Sequence, residues 1–549
     1  MTVGDLTAGE AERVVWDVVV VGTGMGGGMA GYRLAQAGRR VLFVEKGRST
    51  LPGAAGTIRA AMPEVAEPRA YRSTQAYYDA LARAGRSTDE IEDVSGRVAR
   101  RFVPFIGSGT GGSSALYGMV CERFFEQDFT PRQNFRDPGD STVPEAWPIS
   151  YEQLRPWYAQ AEALLGVRGG TDPLRSRSAE VSLPPAPPFS PDNQVLVEHL
   201  SGLGLHPYHL PMACDYQPDC ATCQAYLCPR MCKGEAARNA VLPAVTEHGA
   251  GLLTECPVVS LQADRTRVQQ VICRHRDGVL RLRATVVVVA AGALITPLLL
   301  LNSRSGDWPS GLANGSDQVG RNLMRHLLDW IEVWPHPGAR ITDENKQIGF
   351  NDFYFWEGQK YGTVQSAGAM ATLAPLEMLT NQPGWQKMVL RLINPATRPV
   401  YDRFLGGGLL LAAILEDLPY PDNRVLPSER PSADGRQRLR LRYRLHRSEI
   451  ERRAVFLRQV NEVLRPFRTL PLRTGKNNAT LGHVCGTCRF GTDPKTSVLD
   501  AANRAHEVDN LYVVDASFFP SSAGLNPSLT VAANALRVAE HINHEHFAT

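Results

Sequence analysis

The chain has 549 residues, 43% of them hydrophobic, and 59 lysines and arginines nearly balance 56 aspartates and glutamates. This length predicts about two to four structural units, and the absence of a basic run interleaved with aromatic residues argues against nucleic acid as a partner. The polar, acidic start and the short apolar runs predict neither a secretory signal nor a membrane span. Ten cysteines are too few for a disulfide scaffold, so a reducing cytoplasm is the expected location.

The first motif is a glycine loop between a strand and a helix. Val18 to Val21 form a β-branched run typical of a parallel strand buried on both faces, and Gly22, Gly24 and Gly27 follow as G-x-G-x-x-G. Such glycines let backbone N–H groups at a helix N-terminus approach a pyrophosphate. Glu45 ends the second strand, near the expected spacing for a carboxylate that holds ribose hydroxyls. We predict dinucleotide binding, and the motif by itself leaves NAD and FAD equally open.

Two middle segments are rich in small or apolar residues. The stretch IGSGTGGSSALYGM begins at Ile106, and its small residues leave room for the backbone to lie against a flat ring. The stretch TVVVVAAGALITPLLLLNS predicts a buried strand over Val286 to Val289, a turn at Ala291 and a helix that starts near Pro297. Both segments suit a nucleotide site more than an exposed linker.

The C-terminal segment predicts another strand, loop and helix. A strand over Leu511 to Val514 ends at Asp515, and an amphipathic helix begins at Pro527 with Asn526 at its N-cap. The N-terminus of this helix, if directed at the pyrimidine end of a flavin, would stabilise the anionic reduced ring.

Together with HVCGTCRFGTDPKTSVLD near the C-terminus, these segments resemble the glucose–methanol–choline (GMC) oxidoreductase family in order and over the whole chain. The resemblance implies an α/β fold, with a Rossmann-like FAD-binding domain and an α+β substrate-binding domain built on an antiparallel sheet. It implies FAD as the cofactor, with no sign of a covalent link to the protein. The expected contacts to FAD are Gly22, Gly24, Met25, Gly27, Glu45, Gly107, Gly111, Gly112, Ser113, Val259, Ala291, Asp515, Ala516, Asn526, Pro527 and Ser528.

The resemblance also assigns a role to His483, which precedes the GTCRFG turn. In the family pattern this histidine faces the flavin N5 and takes the alcohol proton while hydride leaves the carbon, and Asn526 matches its partner position. An imidazole suits this task because it titrates near working pH. Without the family pattern, a structural histidine would be the simpler interpretation. Phe490 and Tyr117 depart from the common methionine and asparagine, and Tyr117 leaves one flavin contact open.

The resemblance predicts a discontinuous FAD-binding domain of residues 1–330 and 480–549, with an inserted proline- and cysteine-rich excursion at about 135–240. Residues 331–479 are expected to form the substrate-binding domain. RLRLRYRL within it alternates apolar residues and arginines, as a strand with one solvated face would. The aromatic stretch from Phe350 to Gly358 lines the pocket over the flavin or packs within the sheet.

Five cysteines fall close together, at positions 214, 220, 223, 228 and 232. Thiolates this dense can hold an iron–sulfur cluster or zinc, and some sugar dehydrogenases of the family carry a cluster in a comparable loop. Disulfides or plain buried thiols are the alternative, and this alternative is preferred, so no metal site is predicted. Cys485 and Cys488 belong to the family motif and are expected to be packing residues.

The segment AWPISYEQLRPWYAQAEALLGVRG and the cysteine loop look like those of the sugar-oxidising branch of the family. This resemblance implies oxidation of an alcohol on a sugar-like substrate, with the primary 6′-hydroxyl of an aminoglycoside intermediate such as paromamine, in antibiotic biosynthesis, as the narrowest expectation. Ring secondary alcohols, with an iron–sulfur relay, and a non-catalytic FAD-fold binding protein are the alternatives. The electron acceptor is oxygen or another, unidentified acceptor. Carboxylates that suit a cationic amino sugar by residue type are Asp352, Glu357, Glu416 and Asp417.

Overall fold

The computed structural model describes residues 6–51, 73–176, 182–218, 220, 222–276, 278–339, 346–369, 407–431, 437–472, 475–476, 478 and 481–548. Parts of the predicted proline-rich excursion and of the predicted substrate-binding domain lie outside these ranges. Within them, no helix is both long enough and apolar enough to cross a membrane. The α-helices are α1 (Ala8–Arg13), α2 (Met25–Gln36), α3 (Thr74–Arg83), α4 (Tyr151–Leu165), α5 (Pro191–Gly202), α6 (Leu242–Thr246), α7 (Ile295–Asn302), α8 (Arg447–Val463) and α9 (Ser528–Phe547).

In the part of the chain that the structure describes, the strands form two large sheets and three smaller ones. In chain order they are β1 (Val15–Val21), β2 (Val41–Val44), β3 (Ile91–Asp93), β4 (Arg100–Phe102), β5 (Val167–Arg168), β6 (Tyr208–His209), β7 (Met212–Ala213), β8 (Gly251–Leu253), β9 (Val258–Ala263), β10 (Val268–His275), β11 (Gly278–Val289), β12 (Leu327–Trp334), β13 (Ile348–Phe350), β14 (Phe355–Trp356), β15 (Gln359–Lys360), β16 (Gly362–Ala369), β17 (Leu409–Leu415), β18 (Arg424–Pro431), β19 (Gln437–Arg442), β20 (Arg468–Leu472) and β21 (Leu511–Val513).

The first large sheet has the order β8-β2-β1-β11-β10-β9, and β21 also pairs with β11. The strands β8, β2, β1, β11 and β21 run parallel, whereas β10 is antiparallel to its neighbours. The apolar runs of β1 and of the second half of β11 are buried, since the sheet is covered on both faces. The predicted Rossmann-like α/β architecture is confirmed, with the glycine loop between β1 and α2.

The second large sheet has the order β20-β12-β17-β16-β13-β6 and is antiparallel. Its strand β6 comes from the predicted excursion, and a separate four-stranded sheet joins β18 and β19 to β3 and β4. Strands from both predicted domains therefore share sheets. The predicted domain boundaries stay a prediction.

Side-chain burial in β19 and at the residue after it follows the sequence pattern: Leu439, Leu441 and Tyr443 are buried, whereas Arg440 is half-buried and Arg442 is exposed. In the aromatic stretch, Phe350 and Phe353 pack in the core of the second large sheet. Packing within the sheet is thus the correct alternative for these two residues.

One predicted boundary is wrong. The last helix, α9, begins at Ser528, and Pro527 occupies its N-cap position. Asn526 therefore precedes the cap, and its side chain is left to face the site instead of the backbone N–H groups of the first helical turn. The proline ring fixes a backbone angle suited to the start of a helix, which makes a side-chain cap unnecessary.

Helix α2 lies against the end of β21 with no space for a side chain between them. A Cβ at Gly26 would come within 2.1 Å of the Val514 carbonyl oxygen, and one at Gly27 within 2.1 Å of the Gly22 carbonyl oxygen. Gly26 allows α2, near the N-terminus of the chain, to pack directly against the end of β21, near the C-terminus of the chain. Gly27 allows the tight turn that precedes α2.

We therefore expect Gly26→Ala to lower the midpoint of thermal unfolding, measured by circular dichroism, because overpacking of this kind costs about 1–3 kcal/mol or more. Gly9→Ala is the matched control, since a Cβ at Gly9 in α1 meets nothing within 4 Å and alanine is the better helix former. Equal unfolding midpoints for wild type and Gly26→Ala would show that α2 can move away from β21.

Candidate active site

The glycine loop presents bare backbone at the carboxyl end of the first large sheet. Gly22 has φ 94°, and a Cβ there would lie 2.5 Å from the Ala290 carbonyl oxygen. At Gly24 the nearest atom to a Cβ is the Gly111 carbonyl oxygen, at 4.0 Å, and a Cβ at Gly112 would lie 3.1 Å from the Gly24 Cα. Two of the predicted cofactor segments are thus adjacent, and the N-terminus of α2 begins between them.

Glu45 is buried, and protein groups occupy both of its carboxylate oxygens. Oε2 accepts from the backbone N–H of Thr23 (3.2 Å) and from its hydroxyl (2.7 Å), while Oε1 accepts from the N–H groups of Gly47 (2.9 Å) and Gly109 (3.2 Å). A carboxylate offers about four lone-pair sites, so a ribose hydroxyl would have to replace one of these donors. In this structure Glu45 joins the glycine loop to the Gly109 segment, and its contact with ribose stays a prediction.

Asp515 makes a similar junction at the end of β21. Its Oδ2 accepts from the Gly292 N–H at 2.9 Å and from the Thr296 hydroxyl, and its Oδ1 accepts from the Ser517 N–H at 2.8 Å. The turn at Ala291 is thereby held against the loop that carries Ala516. The predicted sites at the ends of β11 and β21 therefore lie together.

The remaining predicted cofactor residues lie around the same end of the sheet. The Gly107 N–H donates to the Ser113 hydroxyl at 3.1 Å. Val259 is half-buried on β9, three residues after Cys256, whose N–H donates to the Glu45 carbonyl oxygen at 2.9 Å. Met25 is the first residue of α2, and Pro527 and Ser528 begin α9.

Backbone pairing on two sides places His483. On one side, Met324 and Cys485 exchange two N–H···O bonds of 3.0 Å, and the His326 N–H donates to the Gly482 carbonyl oxygen at 3.1 Å. On the other side, the Gly486 N–H donates to the Ala516 carbonyl oxygen at 3.1 Å. The HVCGTC turn therefore lies between the start of β12 and the loop after β21, although these segments are far apart in sequence.

The predicted catalytic pair is brought together. Asn526 Nδ2 lies 3.5 Å from His483 Nε2, and Asn526 Oδ1 is buried with no hydrogen-bond partner among the described residues. His483 has φ 58°, in the left-handed region, where a residue other than glycine signals a constrained functional position. An unsatisfied amide oxygen beside an imidazole nitrogen is a polar position that a hydroxyl group would fill.

Two residues near His483 were not predicted from the sequence. His326 Nδ1 lies 2.8 Å from His483 Nδ1, and Lys346 is buried just before β13. Removal from water lowers the pKa of His483 well below its ordinary value, and electrostatic interactions with His326 and with Lys346 lower it further. Burial, and then the charge of Lys233, lowers the pKa of Lys346 to about 7. No spacing motif marks either residue, because each reaches the site only through sheet pairing.

The two departures from the family pattern have structural explanations. Phe490 packs edge-on against Trp147 and Phe518, with ring centroids 5.5 and 5.1 Å apart, which agrees with a packing change. The Tyr117 hydroxyl donates to the Gly234 carbonyl oxygen and lies 3.8 Å from Cys121 Sγ. This phenol is therefore bound to the segment that follows the cysteine loop.

The four carboxylates proposed for a cationic substrate do not form a free acidic site. Glu416 lies 2.5 Å from Lys360 Nζ, and Asp417 accepts from the Tyr443 hydroxyl at 2.8 Å. Asp352 lies 2.7 Å from a ring nitrogen of His206. Glu357 is exposed. Residue type alone did not predict which carboxylates are available to a substrate, because their pairing partners lie in distant parts of the chain.

The cysteine cluster forms a chain of sulfur atoms. Cys214 and Cys220 are 3.7 Å apart, and Cys232 lies 3.6 Å from both Cys220 and Cys228. All ten cysteines of the chain are free thiols. Within the described residues, no group of three or more His, Cys, Asp or Glu side chains is arranged to hold a metal ion. Hydrogen bonds from Cys214 and Cys223 lower the pKa of Cys220 and Cys228, respectively.

The comparisons with known proteins agree with this geometry. Two family models, both described as GMC oxidoreductase, match residues 23–328 and 419–535. The chain therefore belongs to the GMC oxidoreductase family, whose members bind FAD. The class of protein defined by the fold and the site is an FAD-dependent oxidoreductase that acts on alcohols.

Individual relatives extend over nearly the whole chain. It is 31% identical to 6‴-hydroxyparomomycin C oxidase of Streptomyces lividus, over 98% of this chain and 93% of that protein. It is also 31% identical to paromamine 6′-oxidase of Streptomyces fradiae, over 96% of this chain and 91% of that protein. Among solved structures, pyridoxine 4-oxidase from Mesorbium loti superimposes with a TM-score of 0.64 at 21% identity, covering 97% of this chain and 100% of that one.

The residues present fit FAD. A Cβ at Gly24 would meet no atom closer than 4.0 Å, so the backbone there leaves open the position that a pyrophosphate takes at a helix N-terminus, and the N-terminus of α9 follows the Asn526 loop beside His483. The backbone at Gly24 would hold the pyrophosphate, and the N-terminus of α9 would face the flavin.

A decisive measurement on the cysteine cluster is the iron content of the purified protein together with its rate of flavin reduction. If Cys220, Cys223 and Cys228 are structural thiols, their serine variants keep the wild-type reduction rate and change only the thermal unfolding midpoint. Cys273→Ser, a buried thiol on β10, is the control for loss of a buried sulfur. Stoichiometric iron and acid-labile sulfide would contradict this expectation and establish a cluster.

Proposed function

We propose that this protein oxidises a primary alcohol on an amino sugar, with the 6′-hydroxyl of an aminoglycoside intermediate such as paromamine as substrate. The placement of Asn526 3.5 Å from the Nε2 atom of His483 supports alcohol oxidation at this site. The substrate class is supported by the two relatives of 31% identity, named for oxidation of paromamine and of a hydroxyparomomycin.

In the proposed reaction His483 Nε2 accepts the proton of the substrate hydroxyl. Its lowered pKa keeps the ring neutral at and above the ordinary pKa of histidine, and a neutral imidazole is the form that can act as a base. FAD, when bound, would supply the acceptor for the hydride that leaves the alcohol carbon, so that the alcohol gives an aldehyde, one hydride and one proton. Asn526 Nδ2 donates a hydrogen bond to the hydroxyl oxygen. This bond orients the hydroxyl group, and because the amide nitrogen is a donor it does not compete with His483 for the proton.

The described contacts also bear on how the substrate is bound. Because Glu416 and Asp417 are paired and buried, the amino groups of the substrate would bind elsewhere. Lys346, with a pKa lowered to about 7, loses its charge as pH rises through that value and then repels a cationic amino sugar less. Free thiols throughout the chain suit a reducing cytoplasm, which is the proposed location.

The substrate assignment is tested by anaerobic mixing of the oxidised enzyme with paromamine and with its 6′-deoxy analogue. We expect paromamine to bleach the flavin absorbance and yield a 6′-aldehyde detected by mass spectrometry, while the analogue leaves the absorbance unchanged. Equal bleaching by the 6′-deoxy analogue would assign the reaction to a ring secondary alcohol instead. Absence of bleaching by either compound, with bleaching by neutral sugars, would overturn the amino-sugar class.

The proposed base is tested by His483→Ala in anaerobic stopped-flow, which isolates flavin reduction from reoxidation. General base catalysis is typically worth about 10²–10⁴-fold, so a loss of that size is expected with FAD still bound. Asn526→Ala is expected to cost less, because it removes orientation and leaves the proton acceptor. In the wild type the rate rises with pH through a group whose pKa lies well below the ordinary pKa of histidine, and His483→Ala loses this limb. A wild-type rate in His483→Ala would show that His483 is a structural residue.

A further inference from the structure

The ring nitrogen behind the proposed base contacts a second histidine. His326 is 1% exposed, and its Nδ1 atom lies 2.8 Å from His483 Nδ1. At this distance one nitrogen must donate and the other accept, because two N–H groups or two lone pairs would repel each other. The contact therefore couples the positions of the protons on the two rings.

Backbone carbonyl groups decide which ring accepts. His326 Nε2 lies 2.8 Å from the Ala523 carbonyl oxygen and 3.3 Å from that of Ser522. Since a carbonyl oxygen only accepts, Nε2 of His326 carries its proton. Burial lowers the pKa of His326 to about 4, so the ring is neutral at neutral pH and has a single N–H group. Its Nδ1 atom consequently has a lone pair.

The orientation of His483 follows from this assignment. Its Nδ1 must carry the proton that is donated to His326, which leaves the lone pair on Nε2. Asn526 Nδ2, an amide donor, lies on that side at 3.5 Å. We propose that His326 is a positioning residue that holds His483 in the tautomer whose Nε2 can accept the alcohol proton.

This inference rests on the proposed function of His483 as base. No proton is transferred to His326 in the reaction: when His483 Nε2 takes the alcohol proton, its Nδ1–H still donates to His326 Nδ1. The same hydrogen bond therefore orients the neutral ring and stabilises the imidazolium that forms. The Ala523 carbonyl oxygen, in a loop where Ala523 has φ 54°, sets the direction of the whole chain of hydrogen bonds.

Two lysines act electrostatically on the histidine pair. The charge of Lys346 lowers the pKa of His483, and that of Lys360 lowers the pKa of His326. Lys360 is itself paired, with 2.5 Å contacts to Asp128 and Glu416. Both effects favour neutral rings, the state in which the tautomer matters.

The kinetic test compares His326→Leu with His326→Gln by anaerobic stopped-flow on the FAD-loaded protein. Leucine cannot accept from His483, and we expect flavin reduction to slow by about 10–100-fold, a part of the full value of a general base. Glutamine offers one acceptor and one donor and is expected to recover most of the rate. His199→Leu is the control, because His199 Nε2 also contacts a backbone carbonyl oxygen, that of Val463 at 2.8 Å, on α5, and it should keep the wild-type rate.

A double variant separates this proposal from the proposed base. If His326 acts through His483, then adding His326→Leu to His483→Ala causes no further loss. An equal further loss, or a wild-type rate in His326→Leu with FAD bound, would overturn the positioning role. A wild-type rate in His483→Ala would instead overturn the proposed base itself.

Nitrogen-15 NMR of histidine-labelled wild-type protein tests the tautomer without any variant, should His326→Leu fail to fold. The signal that is missing from His483→Ala identifies His483. A proton on Nδ1 and a lone pair on Nε2 support the proposal, and a proton on Nε2 of neutral His483 contradicts it. A mixture of tautomers appearing in His326→Leu would show that His326 is the group that selects between them.

Discussion

The carboxyl end of β21 is the position on which both halves of the site depend. The Val514 carbonyl oxygen touches the backbone of Gly26 so closely that a Cβ would lie 2.1 Å from it, and Asp515 accepts hydrogen bonds from Gly292 at the end of β11. The loop that follows pairs through Ala516 with Gly486, beside His483. One short strand therefore aligns the glycine loop, the turn after β11 and the proposed catalytic histidine.

Buried charges hold the loop that follows. Lys360 contacts Asp128 and Glu416, all three fully buried, and the Tyr354 hydroxyl donates to Asp128 and accepts from the Gly524 N–H at 2.8 Å. Removing one partner from such a set leaves an uncompensated charge, which is strongly destabilising. This network fixes the loop whose carbonyl oxygens contact His326, so the buried ion pairs of Lys360 support the placement of the protons on His326 and His483.

The backbone of the site is constrained at two residues. His483 and Ala523 both have left-handed backbone angles, at φ 58° and 54°, a conformation that costs free energy for residues other than glycine. Backbone pairing on both sides of the HVCGTC turn maintains it. The resulting arrangement places Asn526 Nδ2, a donor, 3.5 Å from His483 Nε2, the proposed acceptor, so that a hydroxyl group has both a donor and an acceptor within reach.

Local sequence was sufficient for the parallel strands β1, β2, β21 and the end of β11, and for the motifs that follow them. Continuous β-branched runs predict β1 and the end of β11, the G-x-G-x-x-G spacing predicts the loop between β1 and α2, and the family motif brings His483 to Asn526. These features depend on short-range backbone geometry and on periodicity, which a single stretch of residues contains. The last helix was misplaced by one residue, because proline replaces the side-chain cap that the prediction assigned to Asn526.

Only the tertiary structure decided which side chains meet across strands. His326 reaches His483 because residues 324–326 pair with 482–485, Lys346 is buried beside the site by the second sheet, and Glu416 is neutralised by Lys360. The contacts of His326 with His483 and of Lys360 with Glu416 and Asp128 join residues 157, 56 and 232 positions apart, respectively, and no local pattern encodes them. The cofactor loop and the proposed base could therefore be predicted from short motifs, whereas the neighbours of His483, its charge and the position of its proton depend on how the strands pack.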